Sequence, residues 1–432
     1  MKITQNNSTY TDNSKDALQH TTFVISNNNE KFQDDAKQNG CDNFIKSSEL
    51  KNFFDFSSIK IVGITGTNGK TTTAAAIYSI LLDLGYKVAL QGTRGFYIND
   101  EKVEEYTLTT PVQLSNFEHI QKAIDNRCEY FIMEVSSHAI EQNRIEGLNF
   151  DLKLHTNITR DHLDYHHTLE EYIKVKNSFF NDDSMKLINK DDTNIKFKMK
   201  NAYAYGLDNP STYKVTAYSL KNGIHVALQH FSNIVNFSSP MMGLFNVYNL
   251  TAAVGAVNLL TNKPLQDICN VVEYFGGVAG RMEVISTDPL IIVDFAHTPD
   301  GMKEVFNSFL SEDIICVFGA GGDRDRAKRP IMGKIASNSC KEIIITSDNP
   351  REEDPDLIME DILVGIDDKS NVTLEINRKK AIAIAINKAK NYKNSVILVL
   401  GKGDETSQII YDQKFPFNDK EVIQKVLNEY KQ

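Results

Sequence analysis

The stretch IVGITGTNGKTTT, Ile61 to Thr73, decides how the rest of the chain is read. Ile61, Val62 and Ile64 make a short apolar run suited to a buried strand. Gly66 and Gly69 flank a turn. Lys70, Thr71 and Thr72 then open a helix whose apolar residues Ile77, Ile80, Leu81 and Leu84 fall at helical spacing. Glycines let backbone N–H groups turn toward an anion with no Cβ in the way; the helix start adds a positive dipole end and the lysine a full charge. A threonine hydroxyl after the lysine suits Mg²⁺, so the stretch reads as a phosphate-binding loop. The fit to G-x-x-x-x-G-K-[ST] is incomplete, because Ile64 stands where its first glycine would be. A strand-to-helix turn that merely uses glycines is the plainer alternative. It leaves Gly-Lys-Thr-Thr behind an apolar strand unexplained.

Outward from this loop, strand-like and helical runs alternate: KIVGIT, the helix to Leu84, KVAL, a helix near Leu114–Ala123 and YFIMEV. That is the pattern of a parallel sheet covered by helices. Residues 181–240 read as more irregular, with antiparallel-looking segments KVTAYSL and GIHVALQ, before a helix over Asn246–Leu260. GGVAG, Gly276–Gly280, reads as a hinge, and a second α/β series follows to the end of the chain. Residues 1–57 are polar and hold only short apolar pieces. The expected fold class is therefore α/β with three domains. These are a small, shortened N-terminal domain (1–57), a central phosphate-loop domain with a parallel sheet (58–280) and a Rossmann-like C-terminal α/β domain (281–432).

At 432 residues the chain is too long for one ordinary core. Hydrophobic content of 41% and charged content of 24% are those of a soluble globular protein, and no apolar signal core opens the sequence. No membrane span is expected. Five scattered cysteines without a CxxC pair suit a reduced, cytoplasmic compartment. A net charge of −10 argues against broad nucleic-acid binding, while leaving room for a local basic cluster that meets a phosphorylated substrate.

Two clusters lie downstream of the loop. Glu134 ends the strand YFIMEV, where a carboxylate beside a phosphate loop is well placed to hold Mg²⁺. TNITRDHLDYH, Thr156–His166, adds histidines and acids in a turn-rich segment. Together they point to metal-assisted phosphoryl chemistry. Read alone, Lys176 is a surface lysine.

TGTNGKTT, MEVSSHAIEQNRI and TNITRDHLDYH-x₅-Y-x₃-K closely resemble the Mur ligases, the ATP-dependent amide-forming enzymes of peptidoglycan precursor synthesis. The resemblance covers about residues 58 to 432. It implies that Gly66, Thr67, Asn68, Gly69, Lys70, Thr71 and Thr72 hold the ATP phosphates. By the same match Thr71, Glu134 and His162 are Mg²⁺ ligands, and Lys176 is carbamylated by CO₂ into a carboxylate-like ligand. Asn246 and Asn249 in GLFNVYNLTAA would lie on the adenine side, although capping or packing explains these amides nearly as well. Arg281 in AGRMEVI would reach ATP from the hinge, and Asp294 and His297 in VDFAHTPD would face the cleft. Lys70, His162, Lys176 and Arg281 are the implied catalytic set.

For the UDP-muramoyl substrate the match implies Thr109, Thr110, Ser136, Gln142 and Arg144, with Ser14 as a uracil contact in the shortened first domain. For the added amino acid it implies Arg324 in FGAGGDRDRAKRP, Asp348, Asn349, Pro350 and Arg351 in SDNPREEDP, and Gly401 and Glu405 in GKGDE. Asp-Asn-Pro-Arg resembles the motif of ligases that add meso-diaminopimelate. The physical logic is that this substrate carries a second carboxylate, which a guanidinium can bind in a bidentate pair. Asp404 stands where the family commonly has His. The expected substrates are UDP-N-acetylmuramoyl-L-Ala-D-Glu and meso-diaminopimelate, the expected cofactors ATP and Mg²⁺, and the expected state a monomer in the cytoplasm. A lysine-adding Mur ligase, a folylpolyglutamate synthetase and a non-catalytic nucleotide-binding module are the rival readings.

Overall fold

The computed structural model describes residues 1–5, 7–26, 28–105 and 108–430, with the strands in sheets of four, eleven and six and one two-stranded hairpin. The strand Lys60–Thr65, which ends in the phosphate loop, lies deep in the eleven-stranded sheet. It runs parallel to Leu152–His155 on one side and to Tyr130–Glu134 on the other. Val62, Ile64, Ile132, Leu152 and Leu154 are fully buried, as expected where helices cover a parallel sheet. The carboxyl ends of these three neighbouring strands therefore deliver the phosphate loop, Glu134 and the Thr156–His166 segment to one edge.

The helix Lys70–Asp83 continues from the loop and packs on Leu244–Thr261, sharing a core that includes Ala74, Ile77, Leu81, Val247, Leu250 and Val254. Leu244–Thr261 is long and apolar enough to cross a membrane by length and composition, yet 67% of it is buried inside the fold. Its apolarity is that of a core helix.

The central sheet is mixed rather than wholly parallel. Beyond Val88–Gly92 it continues antiparallel into Gly95–Ile98 and Glu101–Glu104. On the opposite flank Tyr213–Ser219, Ile224–His230 and Asn233–Ser239 form an antiparallel meander. Two of these strands are the antiparallel-looking segments KVTAYSL and GIHVALQ of the section read as more irregular; alternate residues, such as Ile224, Val226 and Leu228, are buried there.

The N-terminal residues form a four-stranded sheet in chain order, Lys2–Gln5, Ser8–Thr11, Thr21–Ile25 and Asn43–Lys46. Its private core is small: Ala17, Phe23, Ala36 and Cys41. Ile3, Tyr10, Val24, Leu50 and Phe54 instead join Phe117 and Phe131 of the central unit, so the small sheet is held by docking.

The six-stranded sheet has the order Glu283–Thr287, Leu290–Asp294, Ser395–Leu400, Asp313–Phe318, Glu342–Ile345, Val372–Leu374. All neighbours are parallel except the first pair. Ser395–Leu400 inserts beside Asp313–Phe318, and the direction of winding reverses there. Such a reversal opens a crevice at the strands' carboxyl ends.

Candidate active site

In the phosphate loop, Gly69 has φ +86° and precedes the helix Lys70–Asp83. A Cβ on Gly66 would stand 1.8 Å from Thr156 Oγ1, so that glycine is required by close approach to the neighbouring strand end. Thr156 Oγ1 and Asn157 Nδ2 both donate to the Asn68 carbonyl, at 2.7 and 3.0 Å, and Asn68 N donates to Asn157 Oδ1 at 2.9 Å. Thr67 Oγ1 lies 2.9 Å from the Tyr172 hydroxyl.

Lys70 folds back, donating from Nζ to the Gly66 and Thr67 carbonyls at 2.8 and 2.9 Å. Burial lowers its pKa against the pull of Glu134 and Asp161. Thr71 Oγ1 donates to Glu134 Oε2 at 2.9 Å, and Thr93 N donates to Glu134 Oε1 at 2.9 Å. Thr93 carries no sequence signal, since it reaches Glu134 across the turn after Val88–Gly92. Thr72 is buried beside the loop.

Lys176 is 1% exposed, the reverse of a surface lysine. Its Nζ donates to the Gly66 carbonyl at 2.9 Å and lies 5.0 Å from the centre of the Tyr172 ring. Burial, reinforced by Lys70, pushes its pKa well down. His162 has φ +52° and packs edge-on to His138 at 5.0 Å. Burial with His138 and Lys70 nearby lowers its pKa against Asp161. Burial pushes Asp161 up, but His162, His297 and Lys328 outweigh it and hold the carboxyl low.

Among the described residues no group of three His, Cys, Asp or Glu converges as a metal cage. The Thr71–Glu134 pair is nonetheless an oxygen donor set of the kind Mg²⁺ takes when substrate phosphates and water complete its shell. The residues present fit that ion.

A cavity of about 330 Å³ opens beside the loop between the central and C-terminal sheets, lined by Asn68, Gly69, Thr72, Asn249, Arg281 and Asp294 among others. Asn249 Oδ1 stands 2.5 Å from where a Gly69 Cβ would be, and Asn249 Nδ2 donates to Asn246 Oδ1 at 2.9 Å. Asn246 lies behind that lining and donates to the Met242 carbonyl at 2.7 Å, a packing arrangement. Arg281 stacks on Phe295 at 4.3 Å. Asp294 accepts from Met282 N and Ala296 N, both at 2.7 Å, and burial raises its pKa against Arg281.

A second cavity, about 570 Å³, lies between the N-terminal sheet and the central unit and includes Gln142 and Arg144 in its wall. Arg144 Nη2 donates to Gln142 Oε1 at 2.6 Å and Nη1 to the Thr110 carbonyl at 2.9 Å. Thr110 Oγ1 in turn accepts from Ser136 N at 2.9 Å, and Thr109 Oγ1 is 3.1 Å from Thr93 Oγ1. Ser14 does not line this cavity; it sits in the short turn Ser14–Asp16, where its carbonyl accepts from Asn39.

The third cleft, about 200 Å³, is the crevice of the six-stranded sheet. There Arg324, Asp348, Asn349, Arg351, Gly401 and Glu405 meet Asp161, His162 and His297. Residues beyond the ends of four strands of this sheet thus converge with the segment that follows Leu152–His155. Pro350 faces a different cavity, and its carbonyl is where a Gly322 Cβ would fall, 1.8 Å away. Arg351, at φ +51°, donates from Nη1 to the Gly322 carbonyl at 2.8 Å. Arg324 donates to the Asp323 carbonyl at 2.8 Å. Among the described residues neither guanidinium has a carboxylate partner. Burial and the nearby Arg324 lower the Arg351 pKa.

Two other arginines of the basic loop do have partners: Arg326 and Arg329 both bind Glu353, and Arg329 also binds Asp361. Glu405 Oε2 accepts from Lys402 Nζ at 2.7 Å and Asn349 Nδ2 at 2.9 Å. Lys402, fully buried, is a supporting residue that reading the sequence missed. Asp404 pairs with Arg94 Nε at 2.9 Å across the interface with the central unit.

The family described as "Mur ligase middle domain" matches residues 64–257, and "Mur ligase, glutamate ligase domain" matches residues 280–403. UDP-N-acetylmuramoyl-L-alanyl-D-glutamate–2,6-diaminopimelate ligase of Wolinella succinogenes is 51% identical over 97% of this chain and 96% of that protein. A solved structure of a ligase of the same description superposes with a TM-score of 0.68 at 29% identity, over 98% of this chain and 95% of that one. Folylpolyglutamate synthase of Mycobacterium tuberculosis superposes with a TM-score of 0.67 over 80% of this chain and 89% of that one. At 16% identity it shares the fold alone. The chain belongs to the Mur ligase family, on the branch of the diaminopimelate ligases.

Proposed function

We propose that the chain joins meso-2,6-diaminopimelate to the D-glutamate of UDP-N-acetylmuramoyl-L-Ala-D-Glu in peptidoglycan precursor synthesis, with ATP converted to ADP and phosphate. The observation that carries the substrate choice is the crevice in which two guanidinium groups, Arg324 and Arg351, have no carboxylate partner among the described residues, beside Asp348, Asn349 and Glu405. A second carboxylate on the amino acid would complete Arg351, and Glu405 Oε1 remains for the ammonium beside it.

The loop Gly66–Thr72 would bind the ATP phosphates. Lys70 would exchange its two loop carbonyls for phosphate oxygens. The γ-carboxylate of the D-glutamate attacks the γ-phosphate, giving an acyl phosphate. The amine of diaminopimelate then attacks the acyl carbon, and phosphate leaves. Mg²⁺, when bound at Thr71 and Glu134 with His162 nearby, would offset the phosphate charge. Arg281 is braced on Phe295 to reach the same cavity. Asn249, Asp294 and His297 line the ATP and amino-acid clefts. Thr109, Thr110, Ser136, Gln142 and Arg144 would hold the UDP-muramoyl part.

Lys176 would be carbamylated: formation of a carbamate needs a neutral amine, and burial lowers the pKa of Lys176 in the direction that favours that form. We place the enzyme in the cytoplasm as a monomer. All five cysteines are buried and free. Phosphate release that requires both UDP-muramoyl-dipeptide and diaminopimelate tests the reading. Release with lysine in preference, or with a folate and glutamate, would overturn it.

A further inference from the structure

The amino-acid cleft contains a third cation. Lys328 opens the helix Lys328–Ser339, is 8% exposed and lines the cleft with Asp161 and His297. Its Nζ makes no hydrogen bond or ion pair among the described residues. The adjacent carboxylate of Asp325 is already occupied: it pairs with Arg160 Nη2 at 3.1 Å and accepts from Ala327 N at 2.9 Å. A buried ammonium without a partner is costly to maintain, and the helix N-terminus at the same place adds positive potential. Both features call for an anion that arrives with the ligand.

Charge is divided along the cleft. The charges acting on Arg351 come chiefly from Arg324, Asp348 and Glu405, whereas those acting on Lys328 come from Asp161, Asp325, Asp164 and Asp348. Asp348 is common to both groups. Diaminopimelate has a matching form, an ammonium and a carboxylate at each end. We propose, on the reading that this cleft takes diaminopimelate, that Lys328 binds the carboxylate on the carbon bearing the attacking amine. The Arg351 end takes the remote pair of charges and the Lys328 end the reacting pair. Fixing that carboxylate aims the neighbouring amine at the side of the cleft where Asp161, His162 and His297 lie.

The contact belongs to a feature that every 2-amino acid shares, which sets it apart from Arg351. Lys328→Met should raise KM for diaminopimelate and for lysine by the same factor, at least about thirtyfold. KM for ATP and for the UDP-dipeptide should stay within about twofold of wild type. Lys328→Arg should recover most of the loss. Lys328→Gln, which keeps a polar tip in the buried position, guards against misfolding and should show the same pattern as Lys328→Met. A fall in kcat with unchanged amino-acid KM, a rise in the KM for ATP, or a loss confined to diaminopimelate would each overturn the assignment. A wild type that prefers some other acceptor would overturn the substrate reading alone, because Lys328→Met would still raise KM for that acceptor. An unchanged KM for every acceptor would overturn the role of Lys328 alone.

Discussion

The phosphate cleft and the amino-acid cleft treat their charges in opposite ways. Around the phosphate loop nearly every polar group is already engaged: Lys70 on two carbonyls, Glu134 on Thr71 and Thr93, Lys176 on the Gly66 carbonyl. In the amino-acid cleft Arg324, Arg351 and Lys328 have no acidic partner among the described residues. On the proposed reading the first site would exchange these internal contacts for ligand contacts, and the second would be completed by its ligand. Preorganisation suits a step governed by electrostatic stabilisation of transferring phosphoryl, while unpaired charge suits selection between similar amino acids.

The largest effect should come from Lys70. Lys70→Ala removes the cation from the loop and should cut turnover about a hundred- to a thousandfold, with circular dichroism and thermal unfolding close to wild type. Near-normal turnover in a folded variant would remove the phosphate cleft from the comparison.

Lys176→Ala should follow, with a loss of up to about a hundredfold that short carboxylic acids partly restore. Burial lowers the pKa of Lys176, which favours its neutral amine, and the amine becomes protonated as pH falls through that lowered value. Acid therefore removes the form that accepts CO₂, and activity without added bicarbonate should decline on acidification before the fold is lost. Mass analysis that finds no extra carboxyl group on Lys176 in active enzyme would refute the carbamate.

Arg351→Ala sharpens the other half of the comparison. It should lower kcat/KM for diaminopimelate by about thirtyfold or somewhat more, the low end for truncating one partner of a charge pair, because Arg351 is half-exposed. Lysine has no remote carboxylate and should lose far less. Adding Arg324→Ala should be less than additive if both guanidiniums serve one carboxylate. Equal losses for the two amino acids would show that Arg351 braces the loop instead.

The smallest effect concerns Arg94 and Asp404, which pair across the interface between the central and C-terminal units. Their side chains are 34% and 25% exposed, so the pair should be worth no more than about 1 kcal/mol in a double-mutant cycle. Arg94→Ala and Asp404→Ala should each lower kcat/KM about two- to fivefold, and the double variant should be no worse than either single one. Fully additive losses would mean that the two residues act separately.

Much of the architecture was legible in local pattern. Apolar strands ending in Gly-Lys-Thr-Thr, in Glu134 and in Asp-Asn-Pro-Arg announced parallel strands with chemistry at their carboxyl ends, because buried parallel strands are continuous apolar runs. The antiparallel flanks and the N-terminal sheet read less clearly. Their strands are short and half-buried, and the N-terminal sheet relies on apolar surface supplied by the central unit.

By itself, the sequence determined where the glycine turn with Lys70, the strand-end Glu134 and the arginine-bearing loops lie, since each is a contiguous motif set by local backbone geometry. Only the tertiary structure decided which of those charges are already paired. Arg329 meets Glu353, Asp404 meets Arg94 and Glu405 meets Lys402, while Arg324, Arg351 and Lys328 meet no acid among the described residues. Lys176 likewise looks like any surface lysine until the strand end at Gly66 closes over it. Burial and partner identity depend on segments hundreds of residues apart in the chain, such as Arg94 and Asp404, so no local stretch encodes them.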